Sequence, residues 1–327
     1  MKVGKIPNDV LKSLVINRIK DKREEIIVRP GIGEDCGIAD FGGNLIAMSS
    51  DPITGTPEDI GHLAVHVSCN DIASCGAEPV GILVTLLLPV GTTKEDLDFI
   101  MAQICKEADS INVDIMGGHT EITTAVNRTV AICTSIGKVQ KGSIVKTSGA
   151  KPGDYVVITK SAGLEGTAII AKLKESELAA ALGQKTVENA KSFINSISVV
   201  KEGMIAARFG VNAMHDVTEG GVLGAVWEIA EASATGVIVQ RNDVPVAPET
   251  KAICDYFGID PLKLISSGSM AISCADGPGL VETLERNGIK AAVIGRITAE
   301  VERKVIYEGQ EYELNQPDTD ELYKVVE

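Results

Sequence analysis

Apolar residues recur along the chain with the two spacings that predict helices and strands in alternation. Helical spacing covers residues 8–20, 94–109, 247–257 and 278–287, and apolar runs typical of strands cover 80–88, 129–137, 155–159 and 291–295. This order predicts a mixed α/β (α+β) fold. A polar, turn-forming segment at residues 146–154 separates two comparable halves. We therefore predict two domains, residues 1–148 and 149–327.

One predicted helix carries a carboxylate where its pattern calls for an apolar residue. The stretch 56–77 has Thr56 as a candidate N-cap before Pro57 and Gly76 as a stop. At about 100° per residue, five of its residues fall on one arc: Ile60, Leu63, Ala64, Val67 and Asp71. An unpaired carboxylate on an apolar arc is costly. Asp71 is therefore expected either to have a neutralising partner or to face a bound cation.

Five acidic motifs share one design, in which an apolar strand or helix ends in a loop of small residues with an acid at its tip. They are Gly33-Glu34-Asp35, Ser49-Ser50-Asp51, Asn70-Asp71, Gly117-Gly118-His119-Thr120-Glu121 and Asp216-Val217-Thr218-Glu219-Gly220-Gly221. Loops at strand ends are where α/β folds bind ligands. Oxygen-only ligands suit a hard cation such as Mg²⁺, and a metal-bridged polyphosphate would satisfy all of these acids.

Each motif taken singly also has an ordinary structural interpretation. Asp51 before Pro52 could end a strand, Gly33–Asp35 could be a turn, and Asp216 could cap a helix. No GxxxxGK[ST] motif is present, which excludes a P-loop as the source of nucleotide binding.

His62 and His66 lie four residues apart on the predicted central helix, a spacing that can bind a metal. No third nitrogen or sulfur ligand has suitable spacing, so we interpret the pair as an ordinary polar helix face. Cys69 and Cys75, which flank Asp71, are interpreted as small buried thiols.

Composition and charge restrict the possible partners and the compartment. The formal net charge of −14 argues against nucleic acid as a partner. Seven cysteines without a CxxC pair are typical of free thiols in a reducing compartment. Neither a signal peptide nor an apolar run of membrane-spanning length is evident. We therefore expect a cytoplasmic protein without a membrane partner.

Taken in order, the acidic motifs resemble those of the aminoimidazole ribonucleotide (AIR) synthetase, or PurM-like, superfamily. This superfamily includes selenophosphate synthetase, thiamine-monophosphate kinase and the HypE-type hydrogenase maturation proteins. The stretch Val244–Cys254, together with Ile265–Ser269, is most similar to the HypE type. The resemblance covers nearly the whole chain, and five motifs in order are far more specific than any one of them.

The resemblance implies a homodimer in which the N-terminal sheets of both protomers form a shared barrel, with ATP and Mg²⁺ bound between the two domains. It implies that Asp35, Asp51 and Asp71 bind the metal. It assigns catalytic roles to Asp71, His119 and Glu121. The residues it places at the nucleotide are Asn70, Gly117, Gly118, Thr120 and Asp216.

The reaction that the resemblance implies is ATP-dependent activation of an oxygen by phosphoryl transfer, on a carbamoyl, amide or phosphate acceptor. The acceptor would be a small molecule or a protein thiol, and hydrogenase-maturation proteins would be partners. HypE proteins end in a Pro-Arg-Ile-Cys-like tail, whereas this sequence ends Lys-Val-Val-Glu327 and its last cysteine is Cys274. The acceptor thiol is therefore expected to be missing. A non-catalytic nucleotide-binding paralogue, and an AIR synthetase-like or thiamine-monophosphate-kinase-like enzyme acting on a small metabolite, remain as alternatives.

Overall fold

Two β-sheets, each packed against helices, organise the residues that the computed structural model describes, namely 4–54, 58–140, 143–317 and 319–326. The order of helices and strands is mixed α/β, as the sequence pattern predicts. A short 3₁₀ turn, Thr147–Gly149, lies between the last strand of the first sheet and the first strand of the second, where we predict the domain boundary. No helix among the described residues is both long and apolar enough to cross a membrane.

The first domain contains a six-stranded sheet in the order β1-β2-β3-β6-β4-β5. Its elements are α1 (Asn8–Leu14), β1 (Ile26–Val28), β2 (Gly37–Asp40), β3 (Leu45–Ile53), α2 (Ile60–Ser74), β4 (Ala77–Leu88), α3 (Lys94–Ser110), β5 (Asp114–Ile122) and β6 (Val130–Val139). Neighbouring strands are antiparallel except β4 and β5, which are parallel and joined through α3. Helix α2 contacts both α3 and the sheet, and it is buried on nearly every side.

The second domain contains a seven-stranded sheet in the order β13-β12-β9-β11-β7-β10-β8. Its strands are β7 (Tyr155–Thr159), β8 (Ala213–Asp216), β9 (Gly236–Gln240), β10 (Met270–Cys274), β11 (Ala291–Thr298), β12 (Arg303–Tyr307) and β13 (Gln310–Glu313). Its helices are α4 (Leu164–Leu173), α5 (Glu175–Leu182), α6 (Gln184–Ser192), α7 (Val200–Phe209), α8 (Gly221–Ala232), α9 (Pro248–Phe257), α10 (Gly277–Arg286) and α11 (Tyr323–Val326).

Local signals explain where the two central helices of the first domain begin and end. The capping box at the start of α3 is formed by Thr93 and Asp96, each side chain bonding the other residue's backbone N–H. Gly76 follows α2 with a φ of +76°, the left-handed conformation that favours glycine at a helix end. The predicted N-cap Thr56 and Pro57 lie outside the described residues; α2 begins at Ile60.

Three sequence predictions about local structure are wrong. The single helix expected over residues 8–20 is instead α1, which ends at Leu14, and a separate 3₁₀ turn over Ile16–Arg18; the apolar residues Leu14, Val15 and Ile19 are exposed. The predicted loops at Ser49–Asp51 and Gly117–Glu121 are instead parts of β3 and β5. Their polar and glycine content suggested loops, but backbone pairing with β6 and β4 extends both strands.

The two domains are joined by a buried amide on α2. The side chain of Asn70 donates a hydrogen bond to the carbonyl oxygen of Ile197 at 2.9 Å and accepts one from the backbone N–H of Val199 at 2.8 Å. Because Asn70 is fully buried, both bonds form away from water and losing either partner would leave an unsatisfied polar group. This contact holds the middle of α2 against the second domain.

Replacing Glu165 with glutamine should stabilise the protein at neutral and alkaline pH. Glu165, in the first turn of α4, is 6% exposed, and its Oε2 atom has no hydrogen-bond partner. Burial raises its pKa to about 7, although hydrogen bonds from Ser267 oppose this change. The folded state therefore resists ionisation, and stability falls as pH rises from the unfolded pKa near 4.5 through 7.

We expect Glu165→Gln to raise the free energy of unfolding by about 2 kcal/mol at pH 8 and to change it little at pH 4. Urea unfolding at both pH values measures this difference, with Glu285→Gln on the exposed face of α10 as the control. Equal effects of Glu165→Gln at the two pH values would show that its carboxyl group ionises normally in the folded protein.

Candidate functional site

Four aspartates from both domains form the acidic cluster, which we define as Asp35, Asp51, Asp71 and Asp216. Asp35 precedes β2, Asp51 lies in β3, Asp71 lies in the last turns of α2, and Asp216 ends β8. Helix α2 contacts β8, which brings the second-domain aspartate to the three from the first domain. The structure therefore brings together Asp35, Asp51 and Asp71, which the resemblance implies as metal ligands, and Asp216, which it places at the nucleotide.

Serine hydroxyls connect the three first-domain carboxylates. Ser49 Oγ donates to Asp71 Oδ2 at 2.5 Å and lies 3.5 Å from Asp51 Oδ2. Ser74 Oγ lies 2.6 Å from Asp35 Oδ2 and 2.7 Å from the Asp71 carbonyl oxygen. These bonds fix the carboxylate orientations but bring no positive charge to them.

Burial and mutual repulsion raise the pKa values of two of these acids, Asp71 and Asp216. Burial raises the pKa of Asp71 well above its usual range, and repulsion from Asp216, Asp51 and Asp35 adds to the shift. Burial also raises the pKa of Asp216 to about 7, with Asp35 the largest repelling charge. Such shifts mean that the ionised cluster is unstable by itself. A bound cation would remove that penalty.

His215 supplies the strongest positive charge next to the cluster. Its Nδ1 lies 2.6 Å from Asp35 Oδ1, and its Nε2 lies 2.7 Å from Glu228 Oε2 on α8. Burial lowers the pKa of His215, but Asp35 and Glu228 outweigh that effect and raise it well above 6.5. With a carboxylate at each of its two ring nitrogens, the imidazolium of His215 holds Asp35 in position.

Neither His215 nor Glu228 was predicted as a site residue from the sequence, although the sequence pattern around Glu228 could have indicated it. Glu228 interrupts the apolar run Val222–Ala230 of α8, just as Asp71 interrupts the apolar arc of α2. The same argument about an unpaired buried carboxylate would have singled it out. His215 offered no comparable signal, because its two partners are distant in sequence.

The cluster fits a hard divalent cation. Oδ2 of Asp216 is buried and has no hydrogen-bond partner, so its burial is opposed only by the nearby charges of His215 and Lys5 among the described residues. All four cluster residues offer oxygen atoms, the donors that Mg²⁺ prefers. The nearby thiol of Cys36 instead donates to the carbonyl oxygen of Asp71 at 2.8 Å and plays a structural part.

The Gly117–Glu121 motif does not join the acidic cluster within one chain. All nine residues of β5 are exposed, and the side chains of His119 and Glu121 contact each other at 3.2 Å. Local packing explains why residue 118 is glycine: a Cβ atom there would lie 1.8 Å from the carbonyl oxygen of Val84. The roles predicted for His119, Glu121, Gly117, Gly118 and Thr120 therefore stay predictions.

Asn70 also differs from the role that the resemblance implies. Its amide bonds only second-domain backbone among the described residues, so the structure gives it an interdomain contact instead of an open edge for a nucleotide. Nucleotide binding by Asn70 stays a prediction.

Both domains match sequence models of one protein family. The N-terminal domain model of AIR synthase related proteins matches residues 33–139, and the C-terminal domain model matches residues 151–308. The two matches together span most of the chain.

The curated relatives include a hydrogenase expression/formation protein and carbamoyl dehydratases. The chain is 29% identical to a provisionally named hydrogenase expression/formation protein of Methanocaldococcus jannaschii, over 91% of this chain and 89% of that protein. It is 28% identical to the carbamoyl dehydratase HypE of Cupriavidus necator, over 73% of this chain and 68% of the relative.

Solved structures share the fold. One chain of a solved HypE–HypF complex superposes with a TM-score of 0.78 at 24% identity, covering 94% of this chain and 99% of that one. HypE in complex with ATP superposes with a TM-score of 0.71 at 22% identity, covering 97% and 96%. At these identities the likeness establishes the two-domain fold.

Proposed function

The chain belongs to the AIR synthase related family, and from that membership we propose that it is a HypE-like enzyme dependent on ATP and Mg²⁺. Its proposed reaction is activation of an acceptor oxygen by phosphoryl transfer. The curated relatives include proteins named carbamoyl dehydratase, and one solved structure with this fold is titled as a complex with ATP. A carbamoyl or related amide oxygen is therefore the acceptor class we favour.

The acidic cluster is the single observation that carries this proposal. Buried carboxylates with raised pKa values, drawn from both domains, are costly unless a cation binds between them. The net charge of −14 makes a bare polyphosphate an unfavourable ligand. Mg²⁺ between carboxylates and phosphates removes both difficulties at once.

The proposed roles follow from the position of each side chain. Asp71 and Asp216 hold Mg²⁺ from opposite domains, with Asp51 and Asp35 as further ligands. Ser49 and Ser74 keep the carboxylates of Asp71 and Asp35 in position through the hydrogen bonds at 2.5 and 2.6 Å. When bound, Mg²⁺ supplies neutralisation of the charge that develops on the transferred phosphoryl group. His215 holds Asp35 from the side of the second domain.

The acceptor is proposed to come from outside the chain's own cysteines. Six of the seven thiols are buried, and the exposed one, Cys105, lies on α3, which contributes no residue to the acidic cluster. A small molecule or a thiol of another protein fits this arrangement. A hydrogenase-maturation protein is the partner class we favour, because a solved structure with this fold is titled as a HypE–HypF complex.

A homodimer formed through the first-domain sheet is also part of the proposal. Strand β5 lies at the sheet edge, is exposed along its whole length, and carries three exposed apolar residues: Ile115, Met116 and Ile122. Unpaired strand edges of this kind pair readily with another chain. Pairing there would cover the apolar residues and place His119 and Glu121 at an interface.

Incubation with ATP, Mg²⁺ and a panel of carbamoyl, formyl and phosphate acceptors should give ADP release that depends on both metal and acceptor. We expect EDTA to abolish it, because the ionised acidic cluster and the phosphates then repel each other. Ion-exchange chromatography of the nucleotides measures the product.

The control for this assay is Asp109→Asn, which removes one carboxylate from the exposed end of α3 and should leave turnover unchanged. Binding of ATP without ADP release for any acceptor would favour a non-catalytic paralogue. ADP release that persists in EDTA would contradict the proposed role of the metal.

A further inference from the structure

A second polar cluster lies on the opposite side of α2 from the acidic cluster. It consists of His62 and His66 from α2 and Glu107 from α3. His62 precedes Asp71 by nine positions and His66 precedes it by five, which places them about 180° and 140° around the helix from it. The cluster is therefore separate from the proposed ATP site.

The close approach of α2 and α3 brings the third member of this cluster into place. Gly61 permits this approach, because a Cβ atom there would lie 2.7 Å from Gln103 Cβ and 2.8 Å from the carbonyl oxygen of Ile100. Sequence spacing predicted no third ligand for the two histidines. The contact between α2 and α3 supplies Glu107 as a third candidate ligand. The helix face that we expected to be polar and exposed is largely buried, since His66 is only 5% exposed.

The hydrogen bonds of the two imidazoles leave atoms without a suitable partner. His62 Nε2 lies 2.7 Å from the carbonyl oxygen of Ile194, so it carries the proton and donates. In the neutral ring, His62 Nδ1 then presents a lone pair to Glu107 Oε2, another acceptor, at 3.4 Å. His66 Nε2 lies 3.1 Å from the same oxygen, and its buried Nδ1 has no partner.

We propose that His62, His66 and Glu107 form a binding site for a divalent transition-metal ion of the zinc class. The three candidate ligand atoms are His62 Nδ1, His66 Nε2 and Glu107 Oε2, which lie within 4.8 Å of one another. Tetrahedral zinc with its usual bond lengths separates neighbouring ligand atoms by about 3.3 Å. The two separations from Glu107 Oε2, 3.4 and 3.1 Å, match that spacing.

The surroundings support this ligand set. The hydrogen bond from His62 to Ile194 fixes the ring tautomer, as the outer partners of metal-binding histidines commonly do. Lys106 lies 3.0 Å from the other Glu107 oxygen, so that Oε2 is the oxygen that faces the two imidazoles. The nearby positive charge of Lys160 is paired with Glu202 at 2.6 Å.

A metal in this site would join three parts of the molecule. It would bind α2 to α3 directly, and through His62 it would strengthen the contact with Ile194 in the second domain. Side-chain exposures of 14% for His62 and 11% for Glu107 place the cluster just below the surface, within reach of solvent. Three protein ligands leave a fourth position for water.

Titration of the full-length, metal-free protein with Co²⁺ in excess Mg²⁺ tests the site directly. The excess Mg²⁺ occupies sites made of oxygen ligands, so that Co²⁺ does not bind there. Co²⁺ replaces Zn²⁺ in this experiment because it absorbs visible light and Zn²⁺ does not. We expect one Co²⁺ per chain with the intense bands of four-coordinate cobalt, and displacement of Co²⁺ by Zn²⁺. The absence of thiolate charge-transfer bands would distinguish this site from binding at the exposed Cys105.

His66→Gln and Glu107→Gln should each weaken Co²⁺ binding about 100-fold or more, since loss of a ligand exceeds the 10–100-fold effect of losing an outer partner. His62→Gln changes the most exposed member and provides a variant with little risk to folding. His119→Gln is the control. It alters another His–Glu pair, His119 and Glu121, which lie 3.2 Å apart on the surface, and it should retain Co²⁺ affinity. Absence of Co²⁺ binding in the unmodified protein, or equal affinity in all four variants, would show that the cluster is only an ion pair.

Discussion

Asp71→Asn is expected to weaken Mg²⁺-dependent ATP binding strongly while making the ligand-free protein more stable. Asparagine keeps the size of the side chain and can still accept the hydrogen bond from Ser49, but it removes the negative charge. The buried carboxylate has a raised pKa and is repelled by Asp216, Asp51 and Asp35. Relief of that repulsion should raise the free energy of unfolding by about 1–2 kcal/mol. Substitutions that remove a functional residue often stabilise a protein in this way.

Calorimetric titration with ATP in the presence of Mg²⁺ measures the binding half of this prediction, where we expect a loss on the order of 100-fold. Thermal unfolding without nucleotide or metal measures the stability half. Asp109→Asn is the matched control, because it removes a carboxylate from a solvated position. Unchanged nucleotide affinity in Asp71→Asn would exclude Asp71 as a metal ligand, whatever its effect on stability.

His215→Gln should be among the most destabilising single changes in the second domain. The imidazolium of His215 separates the carboxylates of Asp35 and Glu228, at 2.6 and 2.7 Å from its two nitrogens. Glutamine can donate a hydrogen bond but brings no positive charge. Removing one partner of a buried ionic network typically costs about 3–5 kcal/mol, because the remaining charges are left uncompensated.

Urea unfolding at pH 7 measures this loss, and Glu228→Gln in the same background should recover part of it, since one of the two uncompensated charges is then gone. The pKa of His215 is raised on folding, so its contribution is complete below pH 6.5 and is lost only as pH rises through the higher folded value. A stability of His215→Gln equal to that of the unmodified protein at pH 7 would show that His215 is neutral there.

Periodicity was sufficient to predict the central helix and its unusual carboxylate. The apolar spacing of α2 depends on nearby residues, so Asp71 is conspicuous in the sequence alone. The other acids of the cluster were found through their small-residue surroundings, although Asp51 lies within β3 and not in a loop. Strand length depends on pairing with residues far along the chain, and local composition does not predict that pairing.

Long-range contacts account for what the sequence could not predict. His215 gains its charge from Asp35 in the other domain, and the histidines of α2 gain Glu107 from α3. Neither pairing follows from a spacing pattern. The exposure of Leu14 has a related reason: an apolar helix face identifies a surface that can be covered, but not whether the same chain covers it.

The most direct test of the account is a crystal structure with Mn²⁺ and a non-hydrolysable ATP analogue, using the anomalous scattering of Mn²⁺ to locate the metal. The account predicts Mn²⁺ bound to the carboxylate oxygens of Asp71 and Asp216, at about 2.2 Å, and bridged to the phosphates of the analogue. Bound nucleotide with no metal at these two aspartates, or metal there without contact to the phosphates, would contradict it.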